Sequence, residues 1–167
     1  MIAVVVCALV CAQAAVPHTS RWARLDAARK ETLGRQLWEA SAAGGVAEVR
    51  ALLEQGVDPD HYRSAPRWTA LMQASIRSDH AARDGIAAAL IEHGADVNAV
   101  DADGWGSLHS LAMLGGDGAL AMARLLVDRG ADIHRRDAGG FSPLDLAAQK
   151  GDAAFVGFAN APKRLPG

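Results

Sequence analysis

The sequence predicts an all-α solenoid of about four stacked helix-turn-helix units, joined by hairpin turns and preceded by a capping helix. Three observations carry this expectation. Leu37, Leu71, Leu108 and Leu144 recur at intervals of 34, 37 and 36 residues, and a fixed period of that size is the signature of stacked repeats. A glycine with an acid two places on follows each of three apolar pairs: Leu52-Leu53 before Gly56-Val57-Asp58, Leu90-Ile91 before Gly94-Ala95-Asp96, and Leu125-Leu126 before Gly130-Ala131-Asp132. Half of the 167 residues are apolar, but 36 of them are alanine against four Trp, one Tyr and three Phe, so the core has to be made by helices approaching closely through small side chains.

The chain opens with a segment of a different kind. Ile2 to Ala12 is apolar and no charged side chain precedes Arg21. That length suits the core of a secretory signal and falls short of the roughly 20 residues of a spanning helix. Ala12-Gln13-Ala14 then offers an A-x-A cleavage site, which predicts a leader over 1–14 and a mature chain from Ala15. The basic residue that ordinarily precedes such a core is missing, as a misplaced start codon or a weak signal would explain. Two alternatives stay open: a lipoprotein signal, although Val6 and Val10 stand where a small residue should precede the acylated cysteine, and an amino-terminal strand or helix buried in the domain. Both cysteines, Cys7 and Cys11, lie in this segment; the rest of the chain needs no disulfide in an oxidising compartment.

Next, 15–33 is expected to be the capping helix, with Trp22, Leu25 and Ala28 at helical spacing. The repeats follow over 34–159, in units of about 34–66, 67–103, 104–139 and 140–159, and 160–167 forms a tail with Lys163-Arg164. In each unit a short helix starts near the periodic leucine, where Thr69, Ser107 and Ser142 suit capping of free amide groups. A second helix carries apolar residues at helical spacing: Val46, Val49, Leu52; Ile86, Leu90, Ile91; Leu120, Leu125, Leu126. The glycine after it supplies a left-handed stop, and Phe155 with Phe158 should seal the last unit. The leucine-to-glycine distance grows after the first unit, which places extra residues around Ser78-Asp79-His80 and between Leu114 and Gly118. They are expected to form loops, either tolerated bulges or partner contacts.

These residues resemble the ankyrin repeat, whose unit starts T-P-L-H-x-A-A and ends G-A-D-V-N. Gly94-Ala95-Asp96-Val97-Asn98 matches the end in full, while Leu108-His109 and Ser142-Pro143-Leu144 match the start; Leu71 and Gly130 hold the corresponding places in their units. Gly34-Arg35-Gln36-Leu37 departs from it. The resemblance covers about three-quarters of the chain and implies a binding module whose hairpins and inner helices contact a partner protein. Carried over residue by residue, that surface includes Trp68, Trp105 and Phe141, the residues just before each start motif. It also includes Ile76, Arg77, Met113, Leu114, Gln149 and Lys150, with Ala102 and Asp103 at a hairpin tip. Two roles are open for the aromatic row: partner contact, or stacking on the neighbouring repeat to stiffen the hairpins. For His109 the resemblance implies a structural hydrogen bond.

Composition narrows the remaining classes. A net charge of -2 and a pI near 6.3 lack the basic footprint of a nucleic-acid binder. Without the leader no thiol remains for catalysis, metal or disulfide. Gly104-Trp105-Gly106 and Gly115-Gly116-Asp117-Gly118 lack the spacing of either phosphate loop. Asp101-Ala102-Asp103-Gly104 has no later glutamate to complete a calcium loop and reads as a repeat turn. His61, His80, His134 and Arg135-Arg136 are expected in solvent, and His93 at a helix end that favours positive charge. The expectation is therefore an exported bacterial protein, periplasmic or secreted, monomeric, with no cofactor, metal or nucleic acid and no membrane span once the leader is removed; without a functional leader it would be cytoplasmic. Its function would be to bind another protein, as an inhibitor or immunity protein or as an accessory to an exported enzyme. An enzyme assembled across repeats and a structural spacer are the other classes considered.

Overall fold

The structure, a computed structural model, describes residues 22–65 and 67–160; the leader, its cleavage site and the Lys163-Arg164 tail lie outside them. Eight helices are described: α1 Ala27–Ala43, α2 Val46–Glu54, α3 Ala70–Ser75, α4 His80–Glu92, α5 Ser107–Leu114, α6 Gly116–Asp128, α7 Pro143–Lys150 and α8 Ala153–Ala159. They pair as inner and outer helices. The inner ones, α1, α3, α5 and α7, pack in sequence, each backed by the outer helix that follows it. The hairpin turns that join the pairs contain only two isolated antiparallel bridges, Ser64 to Trp68 and Val100 to Gly106, among the described residues.

One apolar cluster runs the length of the stack, from Leu33 and Leu37 through Leu71, Ile86, Leu90, Leu111, Met122 and Leu126 to Phe155. Alanine makes this geometry possible: Ala74, Ala87, Ala89, Ala112, Ala123 and Ala147 are wholly buried. No unit could bury its apolar face alone, so the interfaces between units supply the core. Outer helices α2, α4 and α6 each stop at a left-handed glycine: Gly56, Gly94 and Gly130 have φ of 86°, 89° and 93°. The following amide returns to the helix, as from Ala95 to the Leu90 carbonyl at 3.0 Å and from Ala131 to that of Leu126 at 2.9 Å, which satisfies carbonyls the helix leaves free.

The start of the stack differs from the sequence expectation. No break separates a cap over 15–33 from a first unit beginning at 34, because α1 runs through that boundary. The cause lies two residues before each periodic leucine. Thr69 and Ser142 occupy that place in the second and fourth units, where their hydroxyls accept from the amides of Met72 and Asp145. In the first unit Arg35 stands there and cannot cap, so the helix begins nine residues earlier at Asp26, whose carboxylate accepts from the Arg29 amide at 2.7 Å. In the third unit the place belongs to Gly106, which makes Ser107 the first helical residue rather than the cap.

The extra residues of the middle units go partly elsewhere than expected. Ser78 and Asp79 stay in a loop between α3 and α4, but the added length lies in the outer helices. α4 and α6 have 13 residues each against 9 in α2, so the insertion is roughly one helical turn. These added turns meet each other. Arg83 on α4 is fully buried, its Nε 3.0 Å from Asp84 Oδ1 and its Nη2 donating to the Gly118 carbonyl on α6. The exposed His80 ring lies so close over Gly118 that a Cβ there would push it aside.

Candidate functional site

Hairpin tips and inner-helix ends hold all the residues singled out for partner contact. At the tips, Asp101 organises the second hairpin. Its Oδ1 accepts from the amides of Asp103 and Trp105, both at 2.9 Å, and its Oδ2 accepts from the Trp68 indole at 3.1 Å. Asp137 repeats the device in the third hairpin, accepting from the Phe141 amide at 2.9 Å. Asp101-Ala102-Asp103-Gly104 is a turn, as its sequence reads, whose first carboxylate is occupied by N–H donors, and among the described residues no group of three His, Cys, Asp or Glu could hold a metal ion. Gly104 and Gly140 have φ of 77° and 82°, but the matching place in the first hairpin is Arg67, at φ 83°. That conformation disfavours a side chain.

The aromatic row divides. Trp68 is half-buried and bonds the next hairpin through Asp101. Trp105 is half-buried against the core, its indole N–H donating to Ser110 Oγ at 2.9 Å and its ring 5.3 Å from that of His109. Phe141 is exposed. His109 bridges two hairpins. Its Nδ1 accepts from the Gly106 amide at 3.1 Å, and its Nε2 lies 3.2 Å from the Phe141 carbonyl oxygen. Both bonds form only if the ring is neutral with the proton on Nε2. Burial, the largest influence, pushes its pKa below the ordinary value, against the opposing effect of the Phe141 carbonyl.

At the inner-helix ends the two cations turn back on the stack. Arg77 Nη1 donates to the Ala42 carbonyl at the end of α1. Lys150 Nζ donates to the carbonyls of Met113 and, at 2.9 Å, Leu114 at the end of α5. Each cation therefore sits on the negative end of the preceding inner helix, where cations are favoured. Leu114 holds the equivalent position in the third unit and has no charge to offer the end of α3. Ile76, Met113, Leu114 and Phe141 are 39%, 46%, 44% and 43% exposed, the large exposed hydrophobics among the described residues.

Several other side chains lie where the sequence reading put them but are also engaged. His61 stands edge-on to Trp22 at 5.1 Å, and His80 covers Gly118. Arg135 donates to the Asn98 carbonyl at 3.0 Å, while Arg136 bonds the Gly140 carbonyl and, at 3.0 Å, Asp145. All four are exposed, but each has a partner in the stack. The Ser142 amide, the largest influence, and then its hydroxyl and Arg136 hold the Asp145 carboxyl below the usual carboxylate range. His93 ends α4, with Nδ1 2.8 Å from the Ala89 carbonyl oxygen. A cleft of about 260 Å³ by Trp22, Leu53 and Pro59 is lined by Asp58 and His93; Asp58 is engaged with the Asp60 amide and His93 with its own helix.

A family model described as ankyrin repeats (3 copies) matches residues 37–137 and 79–158. The chain belongs to the ankyrin-repeat family. Ankyrin repeats are generally protein-interaction modules and typically not enzymes. A search of curated proteins finds no match to this ankyrin-repeat chain. No helix of its described residues is long and apolar enough to cross a membrane.

Proposed function

We propose that this chain binds a partner protein through the ends of its inner helices, with Ile76, Met113 and Leu114 as the apolar centre and Phe141 on the neighbouring hairpin. The observation that carries this reading is the exposure of those four side chains, when the other large apolar groups among the described residues are buried or half-buried. Apolar groups that lose water on contact are what interface hot spots use. A preformed stack also meets its partner with little ordering cost. The leader-like residues 1–14 support export of a mature protein, from Ala15, to the bacterial periplasm or outside the cell. There it acts on its partner as an inhibitor or immunity protein, or as an accessory to an exported enzyme.

The test is affinity capture from an envelope extract of the source cell with the mature chain as bait, read by mass spectrometry. One protein retained in stoichiometric amount is the expected result. Turnover of a small molecule by the purified chain, abolished by a single substitution, would overturn the binding reading. The export reading has its own check, since native protein that begins at Met1 rather than near Ala15 contradicts it.

A further inference from the structure

The turns after α2, α4 and α6 form a ladder in which one polar side chain links each repeat to the next. Asn98 shows the complete rung. Its Oδ1 accepts from the Asp132 amide at 2.8 Å and its Nδ2 donates to the Gly130 carbonyl at 2.9 Å. One repeat earlier the same place is held by Asp60. Its Oδ2 accepts from the Asp96 amide at 2.7 Å, which reproduces the first bond. Its Oδ1 stands where Asn98 has its amide nitrogen. That oxygen is buried and has no hydrogen-bond partner. The repeat register assigns it the carbonyl of Gly94, the equivalent of Gly130, and two acceptors cannot bond.

We propose that Asp60 is a proton-operated latch between the first and second repeats: with a proton on Oδ1 the carboxyl donates to the Gly94 carbonyl and completes the rung, and as a carboxylate it leaves the rung half made. The surroundings favour the protonated form. Burial is the largest influence and raises the pKa, the Asp96 amide opposes it, Asp58 and Asp96 add like charge, and Arg63 supplies the one opposite charge that acts on it. The His61 ring is turned to Trp22. A carboxyl held above its ordinary value binds its proton more tightly folded than unfolded. Its contribution to stability is therefore complete below the unfolded value of about 3.9 and is lost as pH rises through the folded one. The junction of the first two repeats is thus firmer in acid relative to the junction that follows, where Asn98 makes both bonds at any pH.

The experiment compares the full chain with D60N and N98D by thermal unfolding from pH 4 to 7.5, together with carboxyl-carbon NMR titration of Asp60 in the unaltered protein. D60N should melt roughly 2–4 °C higher at neutral pH, as one added hydrogen bond implies for a chain of this size. That gap should close toward pH 4. N98D should show the mirror image, a loss at neutral pH that is recovered in acid. Asp60 itself should titrate above the ordinary carboxylate range. A D60N gap that is absent or independent of pH, or an Asp60 carboxyl that titrates at or below the ordinary range, would overturn the latch.

Discussion

Trp68 and Trp105 at the hairpin tips, and Ile76, Met113 and Leu114 at the inner-helix ends, occupy neighbouring positions in the repeat but spend their surfaces differently. Both tryptophans are half-buried and send their indole N–H groups to acceptors in the stack, Asp101 and Ser110. The three aliphatic side chains have no polar atom to anchor and lie open to solvent. The difference teaches that size and aromaticity do not by themselves mark an exposed side chain in this chain. The hairpins hold the repeats in register, and the helix ends present the apolar face. Arg77 and Lys150 belong with the hairpins in this respect, since their charges close the ends of preceding helices.

The contrast can be broken most severely at Trp105. W105A removes a half-buried ring and an internal hydrogen bond, and should cost about 2–3 kcal/mol in urea unfolding while partner retention stays near that of the unaltered protein. H109A leaves the Gly106 amide and the Phe141 carbonyl unpaired, at about 2 kcal/mol. It should also flatten a pH dependence. A histidine held neutral in the fold binds its proton more readily unfolded, so native stability falls as pH drops below about 6.5, and that slope should shrink in H109A. R67G sharpens the comparison from the other side: glycine at φ 83° relieves the first hairpin and should add about 1 kcal/mol.

Much of this architecture was legible because its signals are periodic. The leucine spacing, the glycine stops and the alanine content each repeat, so one noisy instance is corrected by the others. What escaped was set by single residues. Arg35 in place of a capping residue merges the expected cap with the first inner helix. The leucine-to-glycine spacing revealed an insertion but not its form, because Ser78-Asp79-His80 reads as a loop until Asp79 accepts from the Ala82 amide and starts a longer helix. Which predicted surface residues would be engaged depended on contacts between residues about 35 apart, such as Arg77 with Ala42 or Trp68 with Asp101. No local pattern carries those pairings. Asp60 is an acid where the second repeat has Asn98, a difference whose meaning appears only when its second oxygen is found buried and unpaired.

The binding account rests on the inner-helix ends, and a triple variant I76S/M113S/L114S tests it most directly. These side chains contribute little to the core, so thermal unfolding should place the variant's stability within about 0.5 kcal/mol per site of the unaltered chain. Retention of the captured partner should fall at least about tenfold, the loss expected when hot-spot residues are removed. A triple variant that folds and holds its partner undiminished, while folded W105A loses it, would contradict the account and return the interface to the hairpin row.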